Sequence, residues 1–409
     1  MKILSFSPFP VNQAILSLLV AAGLESVQAD DWPVLRGPDR NGISSEGGLE
    51  KIASAEVAWE KQLGLGYSAP VIGGGKVVIS GHDGEETDTL FCFDEASGAE
   101  KWKFSYPQPL GDLYFPGGTT GTATIDGDRV YQLAREGELF CLNAENGEVV
   151  WKLHMQKDFG YSKADWGFTG APIVNGSHLL INAGVNGLAL NKLDGSIVWR
   201  SKDAEAGYSA PLVFEKSGTQ YAIFSNEKNY VCVEAATGGR VWSHKWMTRY
   251  GVNASDPVLS GDFILIATGY GKGAELLKWT GSGEPESVWK SRELRTQMNA
   301  AVLIDGHLYG IDGDEGKDGT ALKCLNLESG ETLWSEEAVG HGAVSAAGNQ
   351  LIVLSEQGEL QIGAASPSGF SPHFTKKVLD SKVWTVPVYA NGRIYCRNAS
   401  GQFAVLLIK

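Results

Sequence analysis

Six tryptophans, Trp102, Trp151, Trp199, Trp242, Trp289 and Trp334, recur along the chain at gaps of 49, 48, 43, 47 and 45 residues. A period of about 40 to 50 residues marks one supersecondary unit copied many times, and such a unit buries its apolar faces only by stacking on its neighbours. The period therefore limits the fold before any local motif is read.

Other positions repeat in register with the tryptophans. The segments include LFCFDEASGAEKW, LFCLNAENGEVVW and LKCLNLESGETLW. Gly98, Gly147, Gly195, Gly238 and Gly330 stand four residues before a repeat tryptophan, and Pro285 takes that place before Trp289. Asp94, Asn143, Asn191, Glu234 and Asn326 stand eight before. An apolar run, an Asx-type residue, a Gly that supplies positive φ and a second apolar run describe strand, turn and strand. Two further short runs precede each hairpin, as in GTATIDGDRVYQL. Each unit is therefore expected to be four antiparallel strands, the size of a propeller blade.

After Trp334 the run SAAGNQLIVLSEQGELQIGAAS reads as a seventh blade without its tryptophan, and TVPVYANGRIYCRNASGQFAVLLI supplies three strands of an eighth. The missing outer strand is found in EVAWEKQL around Trp59, so that an N-terminal strand closes the ring and removes its free edge. From Val57 to Lys409 there are 353 residues, about 44 for each of eight units. The fold class is all-β, an eight-bladed propeller of four-stranded antiparallel blades spanning residues 56–409. Gly accounts for 52 of 409 residues, far above the usual ~7%, as dozens of tight turns require.

Residues 1–29 stand apart. Lys2, the apolar stretch Ala14 to Leu24 and the small residues Val27 and Ala29 around Gln28 read as an export signal cleaved before Asp30, too short to span a ~30 Å bilayer core. No Cys follows the stretch, which argues against a lipid anchor at that point. Residues 30–55 form a leader. The mature chain is expected in the periplasm or outside the cell, as a monomer with no transmembrane span. A net charge of −14 without a basic run disfavours nucleic acid as a partner.

Export permits disulfides, yet Cys92, Cys141, Cys232 and Cys324 each lie ten residues before a repeat tryptophan. Equivalent positions in different blades are held too far apart for a bond that needs Cα atoms within ~7 Å. They read as small core residues, and Cys396 is left over.

The turn pattern in CFDEASGAEKW, CLNAENGEVVW and CVEAATGGRVW resembles the PQQ-like β-propeller repeat, and the resemblance covers essentially the whole chain after residue 29. It implies tryptophans that dock one blade on the next, here Trp59 and the six named above. The opening DWPVLRGPDRNGIS is similar to the leader found ahead of the first blade in exported bacterial members. Two functional branches follow from the resemblance. Quinoprotein dehydrogenases hold pyrroloquinoline quinone (PQQ) and Ca²⁺ over the central channel, whereas non-catalytic propellers include the BamB-type component of outer-membrane barrel assembly. The first branch is usually longer and often carries adjacent cysteines, which this chain lacks; the second is typically lipid-anchored.

A quinone site needs aromatic faces and a shell of carboxylate and amide oxygens. The residues expected near the channel mouth with that chemistry are Tyr67, Trp166, Tyr208, Asn253, Asp256, Asn299, His341 and Trp384. They follow no quinoprotein motif, so no catalytic residue is assigned. Asp312, Asp314 and Asp318 lie in a D-x-D-x-G-x-D loop that is a candidate for Ca²⁺, with solvated acidic tips as the plainer alternative here and in the loop His82 to Asp88. G-x-S-x-G and H-E-x-x-H are absent. The longest loops, Phe104 to Thr119 and Leu153 to Phe168, carry Tyr106, Tyr114, Phe115, Phe159, Tyr161 and Trp166, as a recognition rim would. The function expected is a non-enzymatic binding or scaffolding module, without cofactor, holding a protein partner or envelope ligand on one rim. The alternative is a PQQ-dependent oxidoreductase.

Overall fold

In the computed structural model the described residues are 30–113, 115–314 and 319–409. They form eight sheets in ring order, each antiparallel and four-stranded apart from one added strand. The second and third strands of a blade are covered on both faces by neighbouring blades, so Lys76–His82 is buried at every position. The outermost strands face water, and Ile197–Arg200 is mostly exposed. Ala55–Gln62 pairs antiparallel with Gln402–Ile408, from Ala55 opposite Ile408 to Gln62 opposite Gln402, and closes the eighth blade as expected.

Two repeat positions meet across every regular blade boundary. The Trp102 indole lies on Gly147, where a Cβ would come within 2.7 Å of the ring, and its Nε1 donates to Ala144 O at 2.9 Å. Trp59 on Gly98, Trp151 on Gly195, Trp199 on Gly238 and Trp289 on Gly330 repeat the contact, with indole bonds of 2.8–3.2 Å to the next blade's turn. These turn glycines also hold φ between 69° and 73°. The turn Gly is thus required twice, for left-handed backbone and for the flat contact with a ring. Where the sequence departs from the repeat the contact departs too: Trp334 stacks on Phe370 at 6.4 Å and donates to Ser366 O at 2.8 Å. Facing the turn that carries Pro285, Trp242 packs on Trp279 at 6.4 Å, and its Nε1 has no hydrogen-bond partner.

Each of Cys92, Cys141, Cys232 and Cys324 is the cross-strand partner of its blade's tryptophan, next to a β-bulge. All five cysteines are free and buried. Burial pushes the Cys92 thiol up to about 12 and that of Cys141 up to about 11, so both are inert packing residues.

The leader does more than precede the first blade: it enters the channel and touches all eight. Trp32 bridges Ile72 in blade one, Pro33 O accepts from Ile125 in blade two at 2.8 Å, and Val34 and Leu35 pack on the cluster between blades three and four. Arg40 reaches Asp256 of blade five at 3.0 Å, and Arg36 Nη1 and Nη2 donate to Ala300 O and Ala301 O of blade six at 3.0 and 2.9 Å. Ile43–Ser44 then adds a parallel fifth strand to blade seven, and Glu46 accepts from Gly392 of blade eight at 2.9 Å. Arg36, Gly37, Arg40 and Gly42 all have positive φ, which folds RGPDRNG into a compact tip.

Candidate functional site: an aromatic funnel over the plugged channel

The extended segment leading into each innermost strand alternates its side chains, so residues four and two before the strand face the same way. Tyr67, Thr120, Thr169, Tyr208, Ala254, Met298 and Trp384 each stand four before an innermost strand, and all seven line one cavity of about 640 Å³. Ala69, Thr122, Asp256, Ala300 and Val386, two before, line it as well. Leu35 and Arg36 of the leader form part of the same lining. The connections between blades contribute Phe115, Asp165, Trp166 and Tyr250, and the loops between the second and third strands of blades five and six contribute Tyr270 and Asp314.

The aromatic wall is mutually packed. Tyr67 stacks on Trp384 with centroids 5.1 Å apart at 23°, and Phe115 lies 5.7 Å from Tyr67. Trp166 meets Tyr208 edge-on at 5.7 Å, and Tyr250 meets Tyr270 edge-on at 5.5 Å. Lys382 Nζ sits 4.3 Å from the Trp384 ring centroid. Burial raises the Tyr208 hydroxyl well above the ordinary phenol range.

The charged groups beside the leader are already committed. Arg36 donates to Arg40 O, Asn41 O, Ala300 O and Ala301 O at 2.9–3.1 Å, and burial pushes its guanidinium down to about 10. Asp256 takes Arg40 at 3.0 Å and the Ala210 N–H at 2.8 Å.

Six of the eight residues expected at the channel mouth line the cavity: Tyr67, Trp166, Tyr208, Asp256, Asn299 and Trp384. Asn253 is fully buried and donates to Asn226 O and Trp246 O at 2.7 and 3.1 Å. His341 lies edge-on to Trp384 at 6.0 Å, outside the lining. Of the metal candidates, Asp312 is wholly buried between Arg295 and Lys323, at 2.7 and 2.9 Å, and Asp314 accepts from the Tyr270 N–H. Asp318 lies outside the described residues. Among the described residues no three His, Cys, Asp or Glu side chains gather as metal ligands. Asp256, the carboxylate expected for a Ca²⁺ and PQQ site, is held by Arg40, and the Asn299 amide nitrogen donates to Trp384 O at 2.8 Å.

The loops differ from an all-exposed recognition rim. Tyr106 and Tyr161 are core residues, Phe159 is half-buried at the end of the short helix Met155–Phe159, and of the described aromatics named on these loops Phe115 and Trp166 reach the cavity. Tyr114 lies outside the described residues. The sequence places Trp166 at the channel mouth but Phe115 only on the rim, and it carries no signal at single residues for Thr120, Thr169, Ala254 and Met298. Their shared position in the repeat is the signal that would have found them.

Beside the funnel the loop His82 to Asp88 is solvated only in its middle, because its two ends are buried. Tyr106 Oη donates to Asp88 at 3.4 Å, while the other Asp88 oxygen has no hydrogen-bond partner. His82, Arg135 and Arg397 are the basic side chains facing it, and burial outweighs them to push the carboxyl up to about 6. The folded state therefore favours the protonated form more than the unfolded chain does, whose value is about 3.9. Stability is lost as pH rises from about 4 to about 6 and stays lost above. Asp88→Asn is expected to stabilise the protein by about 1–3 kcal/mol at pH 7.5 and to leave it unchanged at pH 4, as read by urea denaturation. A loss of stability at pH 7.5 would show that the charged form is the one the fold prefers.

A family model described as outer membrane protein assembly factor BamB matches residues 86–336 and again 317–408. Outer membrane protein assembly factor BamB of Escherichia coli (strain K12) is 23% identical over 314 residues, covering 73% of this chain and 76% of that protein. The crystal structure of BamB from Moraxella catarrhalis aligns with a TM-score of 0.63 at 15% identity, over 87% of this chain and 98% of that one. Quinohemoprotein alcohol dehydrogenase from Comamonas testosteroni aligns at 0.65 with 14% identity, over 92% and 80%. At such identities the two solved structures share the fold alone.

Proposed function

The chain belongs to the family of outer membrane protein assembly factor BamB, and from that premise we propose that it is a non-catalytic binding module of the cell envelope, receiving a segment of a protein partner in its aromatic funnel. One observation carries the reading. The two longest connections between blades bring Phe115 and Trp166 to the same cavity as Tyr67, Tyr208, Tyr250, Tyr270 and Trp384, over a channel that the leader occupies. Large, stiff, amphipathic rings around a concavity are what an interface uses as anchors, since they bury much area at low entropic cost. A cavity of about 640 Å³ has room for a few side chains of a partner.

Residues 1–29 are taken as an export signal, and the chain acts in the periplasm or outside the cell as a monomer. Among the described residues no helix is long and apolar enough to cross a membrane.

The test is capture from envelope extracts with Phe115→Ala and Trp166→Ala. Each variant is expected to keep the parent's unfolding temperature within about 2 °C and to lose at least about tenfold in affinity for the captured partner, the scale of a central aromatic anchor. Capture that both substitutions leave unchanged would remove the funnel from the binding surface.

The quinone-dependent oxidoreductase reading draws on the same funnel and on the fold shared with quinohemoprotein alcohol dehydrogenase. Against it stands the commitment of Asp256 to Arg40. After incubation with PQQ and Ca²⁺ and removal of free cofactor, the protein is expected to keep no cofactor absorbance. Stoichiometric retention would move the function to the dehydrogenase branch.

A further inference from the structure

The leader begins at a buried carboxylate that lacks a cation. Glu46 is only 2% exposed, and its three hydrogen bonds all come from backbone nitrogens: Asp30 N at 3.0 Å, Asn391 N and Gly392 N. Among the described residues no Lys, Arg or His pairs with it. Around it stand Asp31, Glu50, Glu95, Tyr389 and Tyr395, and the basic side chain of the neighbourhood, Arg393, lies on Glu95 at 3.8 Å. A carboxylate in such a place is costly unless a positive charge meets it. The donor at 3.0 Å is the nitrogen that removal of residues 1–29 would convert to an α-amino group.

We propose that Glu46 is the receiver of the α-ammonium group formed by cleavage between Ala29 and Asp30, and that this ion pair locks the leader into the channel after export. The inference rests on the reading of residues 1–29 as an export signal. In the cleavage, water supplies hydroxyl to the Ala29 acyl carbon and hydrogen to the Asp30 nitrogen; the new carboxyl releases a proton and the amine takes one up. The amide donor of the uncut chain becomes an ammonium in the same position, and a neutral hydrogen bond becomes a buried charge pair. Asp31 fastens the next residue, accepting from Gly74 N at 3.0 Å and from the Asn391 side chain at 3.3 Å. The locked end therefore joins blades one and eight, where the ring closes.

Two purified chains separate charge from geometry: one starting at Asp30, released from a fusion that leaves no extra residue, and one starting at Gln28, which keeps the amide donor and lacks the charge at that point. At pH 7 the Asp30 chain is expected to unfold about 3 °C higher. Pairing raises the α-amino group above its ordinary value of about 8, so the gap is complete below pH 8 and closes as pH rises through the raised value. Glu46→Gln in both chains is expected to abolish the gap. Equal unfolding temperatures at pH 7 would overturn the lock, as would a gap that survives at pH 10.5 or in Glu46→Gln. The pH series on the unsubstituted pair decides the matter even if Glu46→Gln does not fold. Sequencing the N-terminus of the exported chain tests the processing separately: Asp30 as first residue supports it, and any other start overturns it without touching the result on the purified pair.

Discussion

Replacing Arg40 by alanine is expected to lower the unfolding free energy by about 3–5 kcal/mol, the scale seen when one partner of a buried ion pair is removed. The guanidinium is 7% exposed in its side chain and lies 3.0 Å from Asp256, which is 6% exposed. It also donates to Leu35 O and Pro211 O, and so ties the tip of the leader to blades four and five. Burial lowers the Arg40 pKa, with Asp256 opposing the shift, so the pair is a desolvated charge held by its partner. Alanine would strand Asp256 with the Ala210 N–H as its remaining donor. Arg40→Met with Asp256→Leu, which removes both charges, is expected to recover most of the loss. Urea denaturation followed by tryptophan fluorescence measures both. A loss under about 1 kcal/mol for Arg40→Ala would mean that water reaches the pair and that the plug is loosely held.

The second large effect concerns the contact that repeats around the ring. Gly147→Ala is expected to cost about 3 kcal/mol and Gly176→Ala about 1 kcal/mol, although both glycines have positive φ. At Gly176, with φ of 61°, an added Cβ meets nothing within 4 Å, so only the backbone preference is lost. At Gly147 the same methyl would stand 2.7 Å from the Trp102 ring, which is 7% exposed and fixed by its bond to Ala144 O. The ring has to move, and with it the joint between blades one and two. Equal costs at the two sites would show that the turn needs its Gly for conformation alone.

The blades were legible because their signal is local and redundant. Asx, Gly and Trp fall within nine residues of one another in Cys141 to Trp151, and the same short turn is written again in the following copies. One irregular boundary announced itself as well, since Pro285 in place of Gly marks the turn facing Trp242, whose Nε1 has no hydrogen-bond partner. The funnel was half legible. Tyr67, Tyr208 and Trp384 could be named from their place ahead of an innermost strand, but Asn253 and His341 share that neighbourhood and turn elsewhere. Trp166 could be named with the first three, whereas Phe115 comes from a long connection whose path depends on what it packs against. Asp88 looked like part of a solvated tip, and its burial comes from blades one and two meeting over it.

The number of blades, the antiparallel order within each and the closure by the strand around Trp59 were determined by sequence alone, because each rests on a pattern repeated within about 45 residues. Only the tertiary structure decided that residues 30–46 fill the channel and that Leu35 and Arg36 help to line the funnel. Arg36 is held by carbonyls 264 and 265 residues away, and a backbone carbonyl is the same group whatever residue bears it. No pattern of side chains could announce that contact, and it forms only once the ring has brought the inner strands of all eight blades around one axis.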